Sequence, residues 1–209
     1  MRFVVTGGAG FVGNHLVKLL VKEGHQVKVI DNLHKGKMEN LEEVLDNIEF
    51  CKIDIQDFDS MEKELRDIDG VFHQAALTVV QDSFANPKEY HEVNVEGTEN
   101  IFKIAMKNNF KVVYASSSSV YGHQDEIPIN ENSKRSPINP YGQTKLDDEF
   151  LMEKYSKLGV KIIGLRYFNI FGEGQTPEYA GVITKFLERI REMKAPIIFG
   201  DGSQIRDFI

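Results

Sequence analysis

Thr6-Gly7-Gly8-Ala9-Gly10-Phe11-Val12-Gly13 decides the fold. A short β-rich run at residues 2–6, RFVVT, precedes it. Phe11, Val12, Leu16, Leu19 and Leu20 then recur at helical spacing over 11–23. Gly8, Gly10 and Gly13 meet the G-x-G-x-x-G pattern in its proper context, with a strand before and a helix after. The chain there has to turn tightly, approach a pyrophosphate without a Cβ in the way, and pack a helix close on a sheet. The helix start then offers free N–H groups and a positive dipole end to the phosphates. The stretch therefore predicts a dinucleotide site.

Outward from it, strand and helix alternate. Gly24 stops the first helix, and 26–30 (QVKVI) is a second strand ending at Asp31, eighteen positions after Gly13. A carboxylate at that point is placed to bond the adenosine ribose hydroxyls and repels a 2′-phosphate, which favours NAD over NADP. Further strands are expected at 48–53, 70–72, 111–115, 160–166 and 196–199. Helices are expected near 60–66 and over 89–107, 141–158 and 182–193, and Gly159 stops the helix before it. Such alternation means parallel β-α-β units. The expected architecture is α/β: a Rossmann-type doubly wound parallel sheet with helices on both faces. An NAD-binding domain is expected over residues 1–168, and residues 169–209 are expected to start a second, smaller lobe. Ligands in such sheets bind beyond the carboxyl ends of the strands, where the notable residues of this chain fall. The loop 122–140 is long enough to raise a suspicion of function.

Composition narrows the classes. The chain has 209 residues, 41% hydrophobic and 27% charged, with a formal net charge of −7. An acidic chain without a basic run carries no footprint for nucleic acid. The stretch His34-Lys35-Gly36-Lys37 is short and is followed by Glu39, as in a solvated loop. One cysteine, Cys51, allows no internal disulfide and fits a reducing compartment. No signal-peptide core and no membrane-length apolar run is present, so a cytoplasmic protein is expected. His15, His25 and His91 lack a carboxylate–cysteine set of metal spacing, and no metal is expected. His73, at the end of a buried strand, reads as a packed and hydrogen-bonded residue.

Two later elements carry chemistry. Ser116-Ser117-Ser118-Ser119 follows the fifth strand. Tyr141-Gly142-Gln143-Thr144-Lys145 opens a helix whose four-residue step puts Tyr141 and Lys145 on one face. Oxidising an alcohol carbon needs a base for the hydroxyl proton. A free tyrosine, with a pKa of about 10, ionises too little at neutral pH for that task. A nearby ammonium and a positive nicotinamide ring favour the phenolate.

With TGGAGFVG, the serine run leading into VYG, Y-x-x-x-K, DNLHKGKMENL, FHQAAL, EVNVEGT, LRYFNIFG and GDGSQIRDF, the chain resembles the extended short-chain dehydrogenase/reductase family over its whole length. Within that family it is most similar to the NAD-dependent epimerase/dehydratase group, and there to the UDP-glucose 4-epimerases. The resemblance implies that Gly7, Gly10, Phe11, Val12, Gly13, Asp31, Asn32, Asp54, Ile55, Gln74, Ala75 and Asn94 line the NAD site. It makes Ser117 the catalytic serine, Tyr141 the acid/base and Lys145 the nicotinamide-ribose ligand. Phe168 and Asn169 fall where nicotinamide meets sugar. Val182, Ile197, Phe199 and Arg206 are implied to hold the nucleotide, with Arg206 on a phosphate. Thr78 stands where some epimerases have a lysine.

The implied reaction is NAD-dependent 4-epimerisation of a UDP-sugar, glucose/galactose or their N-acetyl forms, through a 4-keto intermediate. The alternatives are a nucleotide-sugar 4,6-dehydratase or decarboxylase, and a catalytically silent NAD-binding protein. Dehydratase and decarboxylase relatives usually carry an acidic residue before the Val-Tyr-Gly segment, whereas this chain has Ser118-Ser119; silent relatives typically lose the Tyr or the Lys. The apolar stripe Leu146, Phe150, Leu151, Leu158 reads as core or partner surface. The resemblance implies a homodimer through the helices at 89–107 and 141–158. It also implies a C-terminal continuation completing the sugar-nucleotide lobe, so the 209 residues alone are expected to bind NAD but epimerise poorly.

Overall fold

The computed structural model describes residues 1–175, 182–203 and 205–209. Gln204, inside the GDGSQIRDF motif, lies outside the described residues. The chain forms two compact units, Met1–Arg166 and Tyr167–Ile209.

In the first unit the strands face two cores at once. In β1 (Arg2–Thr6) Val4 enters one apolar cluster and Val5 the other. In β2 (Gln26–Ile30) Val27 and Val29 side with Val5, and Ile30 with Val4. Such period-two alternation between two buried faces is why these strands read as continuous apolar runs. Each fully buried aliphatic contributes about 1.5–3 kcal/mol. α1 (Phe11–Lys22) covers the Val5 face with Val17 and Leu20, helped by a 3₁₀ helix, Met38–Asn47, through Leu41 and Val44. The other face is covered by α2 (Phe58–Glu64), α5 (Gly97–Asn108) and α6 (Pro140–Lys157), which supply Met61, Ile101, Phe102, Ile104 and Tyr155.

The sheet holds six strands in the order β3-β2-β1-β4-β5-β6, where β3 is Ile48–Cys51, β4 Gly70–His73, β5 Lys111–Ser117 and β6 Ile162–Tyr167. β1 pairs in parallel with both β2 and β4. The strand order therefore reverses between β1 and β4, and a crevice for a ligand opens beyond their carboxyl ends.

The helix expected over 89–107 is broken in an informative way. A short α3 (Val80–Ala85) precedes α4 (Pro87–Tyr90), and a π-helical turn, His91–Glu96, joins α4 to α5. The extra residue of a π turn re-aims side chains, and this turn buries Asn94 and Val95.

In the second unit, α7 (Val182–Arg191) forms as the spacing predicts. Asn169 and Phe208 form a β bridge, with Ile209 N–H donating to the Asn169 carbonyl at 3.0 Å. The expected strand at 196–199 does not form. Ile198 and Phe199 are exposed, and among the described residues no strand pairs with this apolar run.

Candidate active site

The glycine stretch forms a cradle against the ends of β1 and β4. A Cβ on Gly13 would lie 2.1 Å from the Gly7 carbonyl oxygen, so α1 starts in direct backbone contact with the loop. Gly7, at φ +67°, has the Ala75 backbone 2.7 Å from where its Cβ would be. A Cβ on Gly10 would touch little beyond the Gly7 carbonyl, at 3.2 Å. Asn14, buried in α1, donates to the carbonyls of Gly10 and Phe11 and fixes the loop from behind.

Asp31 is built into this cradle. Its carboxylate accepts from Ala9 N–H at 3.0 Å and from Leu33 N–H at 2.8 Å. Burial pushes its pKa up, and the two N–H donors pull it back only in part. Asn32 bonds Asp54 at 2.7 Å, and Ile55 is buried beside them in the core. Gln74 follows β4, its N–H donating to the Thr6 carbonyl, while its side-chain nitrogen is buried without a partner among the described residues. A bare glycine turn and an unsatisfied buried amide at the switch point fit a bound dinucleotide.

Asn94 is placed differently from an open cofactor contact. Its amide is fully buried and clamps both backbone groups of Leu77, at 2.8 and 3.0 Å, and donates to Thr144 at 3.1 Å. It holds the loop after β4 onto α6.

The chemistry-bearing group sits where β5 meets α6. Ser117, the last residue of β5, accepts from Ser119 N–H at 3.1 Å and starts a 3₁₀ turn, Ser118–Val120. α6 is capped by Asn139, which accepts from Gly142 N–H at 2.7 Å, with Pro140 at its first position. A Cβ on Gly142 would lie 2.7 Å from the Ser119 carbonyl, so the absence of a side chain lets the helix start seat directly on the serine turn. That contact brings Tyr141 beside Ser117, close enough for the serine to act on the phenol. Burial raises the Tyr141 pKa above its ordinary value, and the Ser117 bond opposes this. Lys145, 2% exposed, lies 4.8 Å over the Tyr114 ring and 3.8 Å from Asp148. Burial lowers its pKa while Asp148 holds it up.

His73 is the packed residue expected. Its ring bonds the hydroxyls of Thr6 at 2.7 Å and Thr98 at 2.9 Å, and burial next to Lys145 pushes its pKa down to about 3. Glu49, Cys51 and Glu64 cluster on the edge of the sheet, but the Lys28 ammonium pairs with both carboxylates, at 3.2 and 2.6 Å.

In the second unit a shallow cavity of about 330 Å³ is lined by Asn169, Phe171, Gln175, Val182, Arg206 and Phe208, among others. Three predicted substrate residues, Asn169, Val182 and Arg206, thus meet at one place. Ile197 and Phe199 are exposed and are not among the lining residues. Phe168 precedes the cavity in the chain.

Sequence reasoning passed over a charged cluster behind the site. Glu149, 1% exposed, accepts from Ser116 at 2.6 Å and from Arg166 at 2.8 Å through both carboxylate oxygens, and pairs with Arg135 at 3.0 Å. Arg166 also donates to Tyr121 and to the Glu131 carbonyl, so the loop 122–140 is tied down. Asp148 was passed over as well. A signal existed, since seven residues after Tyr141 falls on the same helical face.

The profile of the NAD dependent epimerase/dehydratase family matches residues 3–209. A putative UDP-glucose 4-epimerase of Methanocaldococcus jannaschii is 41% identical over 99% of this chain and 68% of its own length. A UDP-N-acetyl-alpha-D-glucosaminuronate decarboxylase of Bacillus cytotoxicus is 39% identical over 99% of this chain and 66% of its own. The structure of a UDP-N-acetylglucosamine 4-epimerase from Methanobrevibacter ruminantium, in complex with UDP-N-acetylmuramic acid, superposes with a TM-score of 0.93 at 41% identity, covering 100% of this chain and 68% of that one. The chain spans about two thirds of the length of these relatives.

Proposed function

The chain belongs to the NAD-dependent epimerase/dehydratase family, and from that premise we propose that it acts as a UDP-sugar 4-epimerase on glucose/galactose or their N-acetyl forms. The observation that carries this reading is the seating of the α6 start on the serine turn, which puts Tyr141 beside Ser117 one helical turn before a buried Lys145. Residues 1–168 hold the cofactor through the glycine cradle, Asp31, Asn32, Asp54 and Gln74, and 169–209 supply part of the sugar-nucleotide lobe. NAD, when bound, supplies the acceptor for the hydride that leaves C4 of the sugar. Tyr141 takes the C4 hydroxyl proton, which Ser117 relays, and returns it when the ketone is reduced on its other face. Lys145 holds a positive charge near the phenol and favours its ionised form. Asn169, Val182 and Arg206 hold the nucleotide, with Arg206 on a phosphate.

The serines at positions 118 and 119 favour epimerisation over elimination or decarboxylation, because no carboxylate stands there to assist a second chemical step. The protein works in the cytoplasm as a homodimer through the helices around 89–107 and 141–158. Phe150 on α6 and Leu158 just after it support that surface, being half exposed while Leu146 of the same stripe is buried. No helix among the described residues is long and apolar enough to cross a membrane.

Proton NMR of the protein with NAD and UDP-galactose, and separately with UDP-N-acetylglucosamine, reads the reaction. The expected product is the C4 epimer with no solvent deuterium at C5 when the reaction runs in heavy water; deuterium at C5 overturns the reading in favour of a dehydratase. Tyr141→Phe is expected to lose at least about a hundredfold in kcat, the lower range for a general acid–base group, while binding NAD as the parent does. Near-parental turnover would mean that another residue is the base.

A further inference from the structure

Behind the Tyr141–Lys145 pair lies a buried carboxyl group that the reaction as described does not use. Asp148 is fully buried on α6, three residues after Lys145 and seven after Tyr141. Its carboxylate lies 3.8 Å from the Lys145 ammonium and accepts a 2.5 Å hydrogen bond from the phenol of Tyr114, itself buried in β5. Among the described residues it is the one carboxylate paired with Lys145.

We propose that Asp148 is a positioning residue: anchored from the far side by Tyr114, its carboxylate keeps the Lys145 ammonium charged and in place one helical turn from Tyr141. This rests on the reading of Tyr141 and Lys145 as the working pair.

A lysine side chain this deeply buried tends to lose its proton, because an ammonium without water is costly. An adjacent carboxylate offsets that cost, and only if it is itself held ionised. Burial pushes the Asp148 carboxyl up to about 7, while the Lys145 ammonium and the hydrogen bond donated by Tyr114 pull it back toward the ionised form. The other groups facing the pair are few. Thr98 of α5 faces the carboxylate, Asp147 adds negative charge from the same helix, and Glu149 acts on Tyr114. The Lys145 charge acts on His73 of β4, which burial holds neutral. The Tyr114 ring lies under the ammonium at 4.8 Å and adds a cation–π contact from the same side chain that anchors the carboxylate.

The sign of the effect on pH follows. Asp148 raises the pKa of Lys145 against burial, and it also raises that of Tyr141. Removing its charge lowers both. Activity that needs Lys145 protonated and Tyr141 able to ionise is then expected to move to lower pH on both limbs, and not merely to shrink.

The test uses the full-length protein, parent against Asp148→Asn and Tyr114→Phe. Lysine side chains are labelled with ¹³C at Cε, and the Lys145 resonance is assigned by its loss in Lys145→Ala. In Asp148→Asn the ammonium is expected to titrate with an acid constant at least about tenfold larger, a shift of roughly one pH unit. Tyr114→Phe keeps the volume and removes only the anchor, so it is expected to move the titration in the same direction by less. In turnover, both variants are expected to lower kcat at neutral to alkaline pH with little change in KM, and to move the pH profile down. A Lys145 titration unmoved in either folded variant, or a kcat loss that is uniform with pH, overturns the proposal. If Asp148→Asn does not fold, the Tyr114→Phe titration decides. A shifted titration in a protein that converts no UDP-sugar would leave the Asp148 pairing standing and count against the functional reading instead.

Discussion

Asp31 shows what one side chain does at the residue scale. The sequence marks it as the ribose ligand, and the structure gives its two oxygens to Ala9 N–H and Leu33 N–H, so the carboxylate is also the clamp that joins the glycine loop to the turn after β2. A Cβ on Gly36 would lie 2.9 Å from those same oxygens, which shows how closely the next loop passes. A 2′-phosphate brought there meets a fixed negative charge in a partly desolvated place. NADP is therefore expected to bind at least about tenfold more weakly than NAD, a difference of roughly 1.4 kcal/mol, as read by calorimetric titration of both. Asp31→Ala is expected to narrow that ratio and to cost roughly 1–3 kcal/mol of stability, since two N–H groups lose their acceptor. Equal affinities in the parent protein would remove Asp31 from its role in choosing the cofactor. Asp148 marks the limit of reading residues singly: its spacing from Tyr141 is visible in the sequence, but its burial and its tie to Tyr114 arise only when α6 lies on β5.

At the scale of elements, one acid adds a polar clasp to the packed contact between α5 and α6. Glu99 of α5 accepts from Lys154 at 3.0 Å and from Tyr155 at 3.1 Å, both on α6, and from Lys103 at 2.9 Å. Burial alone would raise the Glu99 pKa, but these three bonds win and bring it down to about 2. A carboxylate depressed in the folded state stabilises the fold above its unfolded pKa of about 4.3, and that contribution is lost as pH falls toward 2. Glu99→Gln is expected to cost about 1–2 kcal/mol at pH 7, after discounting for partial exposure. The difference from the parent in denaturant melts is expected to vanish as the pH drops through that window. A gap that persists at the acid end would mean that packing, and not charge, explains the loss. The elements themselves were legible where periodicity is long: β1, α1, β2, α6 and α7 fall within two residues of the sequence reading. The π turn at His91–Glu96 was not: Asn94 within it bonds the Leu77 backbone, a contact that no local pattern records. The strand expected at 196–199 failed for the converse reason, since among the described residues this β-rich run has no strand paired beside it.

Across the whole molecule, the two recognition tasks of the proposed function would fall to two separate stretches of chain. The first unit presents the glycine cradle, the unsatisfied Gln74 amide and the Ser117–Tyr141–Lys145 group. The second has its own cavity, with Arg206 as a lining cation and Asn169 and Phe208 joined in a β bridge at its wall. The motifs of the first were plain in the sequence because a phosphate-binding turn needs glycines in fixed order. Those of the second were plain only through resemblance, since a cavity of mixed apolar and amide groups has no spacing rule. If each unit binds its own part of the reactants, the two ligands should protect different amides. Hydrogen exchange read by mass spectrometry tests this. NAD alone is expected to slow exchange across 7–13, 31–34 and 74–77, where backbone N–H groups face or support the cradle. UDP alone is expected to slow 169–171 and 205–209, and Arg206→Ala is expected to remove much of that effect by deleting the cavity's lining arginine. A ligand at a hundred times its Kd adds about 2.7 kcal/mol to the opening cost of whatever it holds closed, a slowing easily read in peptides of either unit. Protection of 7–13 by UDP as strong as that by NAD would put the nucleotide at the glycine cradle instead, and the assignment of the second-unit cavity to the sugar nucleotide would fall.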